Sequence, residues 1–149
     1  MKKRSLLVLA TVALGVVFLF AIVSATEAPE TITMESKVFK KHKKSLVTFT
    51  HHKHNVDYKI GCADCHHVYK DGKNVWKEGD EVKKCDACHT EAKAPRAKKG
   101  EPKLSKKEKI KKYYYSAIHE NCVGCHKGLK KAGQPTGPTA CKGCHPKKK

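Results

Sequence analysis

Apolar residues are gathered at a few places along this chain and are scarce elsewhere. The longest apolar run, Leu6 to Val23, follows Lys2, Lys3 and Arg4. It ends at Val23-Ser24-Ala25, the small-residue form of a signal peptidase site, so residues 1–25 read as an export signal. The run is also close to the length that spans a bilayer, which makes an uncleaved anchor the alternative. In residues 37–50 (KVFKKHKKSLVTFT) two short patches, Val38-Phe39 and Leu46 to Phe49, flank a basic turn and predict a small β-hairpin. Residues 92–104 (AKAPRAKKGEPKL) carry Pro, Gly and Lys and predict a surface loop. Ser105-Lys106-Lys107-Glu108 has the form of a capping box and predicts a helix running to about His119. Ile110, Tyr113, Tyr114, Ala117 and Ile118 form one apolar stripe on it, while Tyr115, His119 and Cys122 fall on another side.

These elements leave little to bury. The 149 residues are 31% charged and include four Phe, five Tyr and one Trp. Cleavage after Ala25 would leave residues 26–149, a chain able to bury only a modest core of its own. Further apolar material has to come from outside the polypeptide, and regular structure should be sparse.

The cysteines point to its source. All eight lie in Cys-x-x-Cys-His units: Cys62–His66, Cys85–His89, Cys122–His126 and Cys141–His145. This is the c-type haem attachment pattern, in which two thiols form thioethers with the haem vinyls and the next histidine takes an axial iron position. Zinc knuckles or a disulfide framework are the plainer readings. Zinc would need two units to share an ion, leaving half the histidines unexplained. Four repeats with no cysteine left over favour four covalently bound haem c groups. Cys62, Cys65, Cys85, Cys88, Cys122, Cys125, Cys141 and Cys144 are then the attachment residues, with His66, His89, His126 and His145 as proximal ligands. The haems would be the core, residues 26–149 would be one tetrahaem domain, and the apoprotein would be largely unfolded. Export fits this chemistry, because the thiols must reach the space where haem is attached in bacteria.

Ten histidines less four leaves His42, His51, His52, His54, His67 and His119. Four six-coordinate irons need four more ligands, so the supply matches the demand with two to spare.

The ordered set Phe49-x-His51-x-x-His54, Cys62-x-x-Cys65-His66-His67, and Tyr113-Tyr114 before His119 and CVGCH resembles the class III tetrahaem c-type cytochromes of sulfate-reducing bacteria, the cytochrome c-three type. The resemblance covers about residues 37–145. It implies a small multihaem cytochrome fold: a mostly irregular chain with a few short helices and a small β-hairpin, wrapped around four c-type haems. It also implies the distal ligands: His51 with His66 at haem 1, His67 with His89 at haem 2, His54 with His126 at haem 3, and His119 with His145 at haem 4. Phe49 would pack near haems 1 and 3. Adjacent ligands then connect the haems in the order 2–1–3–4. Many members of that family separate the cysteines of the second and fourth units by four residues, whereas every unit here has two. His42 and His52 are additional and are expected to face solvent, with His52 as the alternative to His51.

Histidine on both faces leaves no open iron position and lacks the thioether that raises potential in methionine-ligated cytochromes. A low-potential electron carrier is expected rather than an enzyme. The alternatives are an electron-transfer subunit of a larger membrane-associated complex and, further off, a multihaem reductase. The formal net charge is +18 and is lopsided: residues 98–149 carry 15 Lys and three acids, residues 26–97 carry 14 basic and 11 acidic groups. Nucleic acid is a poor partner for an exported haem protein. An acidic redox partner is expected at a lysine-rich face beside haem 4. The resemblance names periplasmic hydrogenase and membrane multihaem complexes as such partners, in anaerobic sulfate respiration.

Overall fold

The structure, a computed structural model, describes residues 28–147. The expected signal segment, with Lys148 and Lys149, lies outside the described residues. Most of the described chain is irregular, interrupted by short elements. Strands β1 (Ile32–Met34) and β2 (Val47–Phe49) pair antiparallel, Ile32 opposite Phe49 and Met34 opposite Val47. A π-helical turn, Lys53–Asp57, follows. Helix α1 (Cys62–Cys65) is a single turn. Strands β3 (Tyr69–Lys70) and β4 (Lys73–Asn74) make a second hairpin. After a 3₁₀ turn at Cys85–Ala87 the chain runs without regular structure to α2 (Lys106–Lys112) and α3 (Tyr114–His119). A π-helical turn at Glu120–Gly124 leads into α4 (Cys125–Lys131), and α5 (Cys141–Cys144) is the last turn. No helix among the described residues is long and apolar enough to cross a membrane.

Three expectations need correction. The hairpin does not lie within 37–50: its first strand is 32–34, and Val38-Phe39 stays outside it. Phe39 instead meets Tyr114 edge-on at 5.8 Å and His42 at 5.5 Å. His42 is accordingly half-buried rather than solvent-facing, whereas His52 is exposed as expected. The helix expected over 105–119 is broken at Tyr113 (φ −102°, ψ 119°). There the chain turns aside to pair with Glu91, whose N–H donates to Lys112 O at 3.3 Å and whose carbonyl accepts from Tyr114 N–H at 2.8 Å. Two backbone bonds to a distant, irregular segment outweigh continuation through three consecutive tyrosines, which are only middling helix formers. The capping box is present: Ser105 Oγ accepts from Glu108 N–H at 3.2 Å and Glu108 Oε2 accepts from Ser105 N–H at 2.7 Å.

The β3–β4 hairpin was not anticipated. Its two-residue loop is Asp71-Gly72, both at positive φ (49° and 78°), the conformation that favours Asp-Gly in tight hairpins.

The polypeptide's own core is slight. Among the described residues the buried apolar side chains are Trp76, Tyr113, Tyr114 and Ala117, and none is less than 2% exposed. A chain packed only on itself would bury far more.

One polar anchor crosses the molecule. Asp86 Oδ2 accepts from the buried Ser36 hydroxyl at 2.9 Å and from Lys37 N–H at 3.0 Å, tying the loop after β1 to the second attachment unit. Burial on its own would raise the Asp86 carboxyl. The bonds from Lys37 and Ser36, with Lys84 nearby, outweigh it and hold the group below its ordinary value. A depressed carboxylate stabilises the fold fully above its unfolded pKa, about 4, and loses that contribution as pH falls through the lower folded value. Asp86→Ala should therefore cost about 1–2 kcal/mol at pH 7, because it strands the Ser36 hydroxyl. Urea midpoints of the two proteins should converge as pH falls below 4. A gap that stays constant with pH would show that the charge on Asp86 is irrelevant.

Candidate functional site

Each Cys-x-x-Cys-His unit is a single tight turn. His66 N–H donates to Cys62 O at 2.8 Å, His89 N–H to Cys85 O at 3.0 Å, and His145 N–H to Cys141 O at 2.8 Å. The fourth unit, Cys122–His126, straddles the π-helical turn and the start of α4. Closing a helical turn over five residues brings the two thiols and the imidazole to one side. All eight thiols are free. Burial foremost raises the thiols of Cys65, Cys85 and Cys144, and takes Cys122 to about 11.

The imidazoles stand in pairs. Ring centres of His51 and His66 are 6.3 Å apart, those of His67 and His89 6.0 Å, those of His54 and His126 6.2 Å, and those of His119 and His145 6.4 Å. Two metal–nitrogen bonds of about 2 Å, plus roughly 1.1 Å from each nitrogen to its ring centre, come to about 6.2 Å. Each gap thus fits one metal ion held axially from both sides. Among the described residues no group of three or more His, Cys, Asp or Glu side chains is arranged to hold a metal; the donors come in twos, as a planar cofactor with its own equatorial nitrogens would need.

Hydrogen bonds orient the rings. Nδ1 of His54 donates to Thr50 O at 2.8 Å, that of His119 to Tyr115 O at 2.8 Å, and that of His126 to Pro138 O at 2.9 Å. His145 Nδ1 donates to Ser45 O at 2.7 Å, and His67 and His89 donate to Cys65 O and Lys111 O, each at 3.2 Å. A carbonyl can only accept, so Nδ1 carries the proton, and in the neutral ring Nε2 then holds the lone pair a metal would need. Such bonds also raise a ligand's basicity. His51 Nδ1 is buried with no hydrogen-bond partner among the described residues. Burial first, then His51 and His67, lowers the His66 pKa and favours its neutral form.

Two π-helical turns serve this arrangement. His51 and His54, three residues apart, meet different partners, with His54 inside the 53–57 turn, and Cys122, three residues after His119, lies inside the 120–124 turn. A wider turn increases the angle between side chains three apart, and such turns recur at functional sites.

Aromatic rings pack on the imidazoles. Phe49 lies 5.9 Å from His51 and 4.6 Å from His54, the position expected of it between the first and third pairs. Trp76 lies 5.0 Å from His66, Tyr69 5.4 Å from His67, Tyr58 5.8 Å from His54, and Tyr115 4.1 Å from His119. The roles of Trp76, Tyr69 and Tyr58 were missed in the sequence; the lone tryptophan amid charged neighbours was the available signal.

The basic face is broader than the C-terminal lysines. Lys106, Lys109 and Lys127 line a depression of about 360 Å³ with Tyr115 and His119. Lys93, Arg96, Lys103 and Lys109 line a neighbouring one of about 440 Å³ that shares Tyr115. Lys93 Nζ sits 4.4 Å above the Tyr115 ring.

Residues 27–145 match the Class III cytochrome C family. A cytochrome c3 of Maridesulfovibrio salexigens is 40% identical over 129 residues, covering 83% of this chain and 99% of that one. A 26 kDa cytochrome c3 of Desulfomicrobium norvegicum is 30% identical over 123 residues, covering 80% and 96%. Among solved structures, the sixteen-haem cytochrome from Desulfovibrio gigas aligns with a TM-score of 0.40 at 29% identity, over 61% of this chain. The chain spans 17% of the length of that protein.

Gly137 tests the third pair. A Cβ there would lie 2.5 Å from Cε1 and 2.8 Å from Nε2 of His126, closer than real side chains tolerate. Gly137→Ala should push His126 off its line to His54. In the haem-loaded protein one centre in four should turn high-spin by absorption and magnetic resonance. Gly128→Ala, with open space around it, should leave the spectrum unchanged.

Proposed function

The chain belongs to the class III cytochrome c family, and on that premise we propose that it is a periplasmic, low-potential electron carrier with four covalent haem c groups, each held between two histidines. The observation that supports this reading is the set of four imidazole pairs spaced 6.0–6.4 Å apart. Haem 1 is assigned to Cys62 and Cys65 with His66 and His51, and haem 2 to Cys85 and Cys88 with His89 and His67. Haem 3 is assigned to Cys122 and Cys125 with His126 and His54, and haem 4 to Cys141 and Cys144 with His145 and His119. When bound, haem supplies the one-electron ferric–ferrous couple. The chain supplies the rest. Its paired histidines would hold the iron from both sides, its carbonyls aim the imidazoles, and its aromatic rings pack against them. Two nitrogen ligands keep potentials low. Adjacent His66 and His67 would hold haems 1 and 2 close together, and His51 and His54 haems 1 and 3, a connected order 2–1–3–4. Residues 1–25 act as the export signal.

Partners are acidic redox proteins, with periplasmic hydrogenase and membrane multihaem complexes as the class. They dock at the lysine-rich face beside haem 4, where Lys106, Lys109 and Lys127 lie with His119. Oriented charge of this kind speeds encounter more than it tightens a complex.

The mature protein should begin at Thr26 and carry four haems by intact mass, remain low-spin in both oxidation states, and not bind carbon monoxide when reduced. Its ferric magnetic resonance should fall into two classes. Imidazole planes are crossed at haems 1 and 2 (62° and 71°) and closer to parallel at haems 3 and 4 (24° and 33°). Parallel ligands act on one iron π orbital and split the pair; crossed ligands leave the two nearly degenerate and the signal more anisotropic. Fewer than four haems, or carbon monoxide binding, would overturn the carrier.

Docking has its own test. Changing Lys142, Lys147 and Lys148 together to Glu should slow reduction by an acidic hydrogenase at low salt and leave the potentials unchanged. The difference should shrink as salt rises, because screening acts over about 8–10 Å at ordinary ionic strength. The same change at Lys70, Lys73 and Lys77 should matter less. Equal slowing by both sets would mean that net charge alone counts.

A further inference from the structure

The β3–β4 hairpin lies directly after the one place where two proposed ligands are adjacent. Its Asn74 uses its whole side chain to hold that place. Asn74 Oδ1 accepts from Val68 N–H at 3.0 Å and Trp76 N–H at 3.2 Å. Asn74 Nδ2 donates to Ala63 O at 3.2 Å and His66 O at 3.1 Å. The His66 carbonyl is the joint between His66 and His67, whose rings leave it for different partners, His51 and His89. The same asparagine fixes the amide of Trp76, which is 8% exposed. Trp76 lies 5.0 Å from the His66 ring at 31°, and its Nε1–H donates to Glu81 O at 3.4 Å. An exposed hairpin of four strand residues with no apolar face of its own has little reason to carry so many bonds unless it holds something else.

We propose that this hairpin is a clamp on the junction of haems 1 and 2, with Asn74 and Trp76 as positioning residues that set the potential of haem 1 and the angle between its imidazoles. The clamp presupposes the four-haem carrier proposed above. Ferric haem carries one positive charge more than ferrous haem, and one electron converts the first to the second with no bond made or broken. Water stabilises the more charged form, so an indole covering His66 raises the potential of haem 1. Removing the indole lets water in and makes that haem harder to reduce. Removing Asn74 frees the His66 carbonyl and lets the His66 ring turn relative to His51.

The test is a redox titration followed haem by haem by NMR on the haem-loaded wild type and on Trp76→Leu, Trp76→Phe and Asn74→Ala, after intact mass has counted the haems. In Trp76→Leu the ferric-to-ferrous ratio of haem 1 at a fixed potential should rise three- to tenfold, about 30–60 mV. Haems 3 and 4 should stay within error, and Trp76→Phe should restore most of the shift. In Asn74→Ala one of the two crossed-imidazole resonances should change. The emission of the chain's single tryptophan should rise as it leaves the quenching haem. Equal shifts at all four haems, or an unmoved haem 1 in a protein that merely melts earlier, would overturn the clamp. A variant that loads three haems and leaves Cys62 and Cys65 free would support it, and loss spread over other haems would overturn it. A wild type with fewer than four haems would instead sink the carrier reading. In that event, tryptophan emission unchanged between wild type and Asn74→Ala would still overturn the clamp.

Discussion

A main-chain carbonyl accepting from an imidazole Nδ1 is the contact on which the rest of this structure turns. Six rings are held in this way, at 2.7–3.2 Å. The bond fixes which nitrogen keeps its lone pair, and it fixes the ring's direction. It also ties each ring to a backbone segment that can be far away in sequence, as His145 is tied to Ser45. The irregular stretches of chain are therefore not slack. Three of the accepting carbonyls, those of Ser45, Thr50 and Pro138, belong to such stretches and fix them against a ring.

The thin core follows from the same allocation. Tyr113, Tyr114, Ala117 and Trp76 are the apolar side chains buried among the described residues, and the other large rings mostly pack on histidines. Phe49, Tyr58, Tyr69 and Tyr115 each contact an imidazole rather than one another. On the four-haem reading these rings border the porphyrins, and the cofactor's apolar area replaces the core that the chain does not make. Polar anchors then do the work of fixing loop positions, Asp86 with Ser36 on one side and Asn74 on the other.

Surface charge is free of these constraints. The lysines lie on exposed loops and helix faces; Lys106 meets Glu120 at 2.7 Å and Lys83 meets Glu81 at 3.6 Å. Exposed pairs add little to stability. Their excess matters for what approaches the molecule, and the depressions beside Tyr115 and His119 collect cations from residues 93–109 and 127. That grouping was not visible in the lysine run at the end of the chain, because it joins residues from separate segments.

The attachment units were legible because covalent chemistry fixes their spacing within five residues, and one helical turn suffices to satisfy it. The capping box at Ser105, the buried stripe through Tyr113, Tyr114 and Ala117, and the surface loop before them were legible for the same reason: each depends on neighbours three or four residues away. What lay beyond reach depends on distant partners. The break at Tyr113 is decided by Glu91, and the placement of the first strand by pairing 32–34 with 47–49. His42 turns inward because Phe39, itself edge-on to Tyr114, is there to meet it. The Asp71-Gly72 turn was a local signal left unread, but the use of Asn74 and Trp76 was not local: their partners are Ala63, His66 and Glu81. Sequence alone determined the four Cys-x-x-Cys-His units and, through resemblance, which histidine rings were expected to face one another. Tertiary structure decided the distances, the ring angles and the hydrogen bonds that aim them, because those arise only when segments up to a hundred residues apart, as Ser45 and His145 are, close on one another.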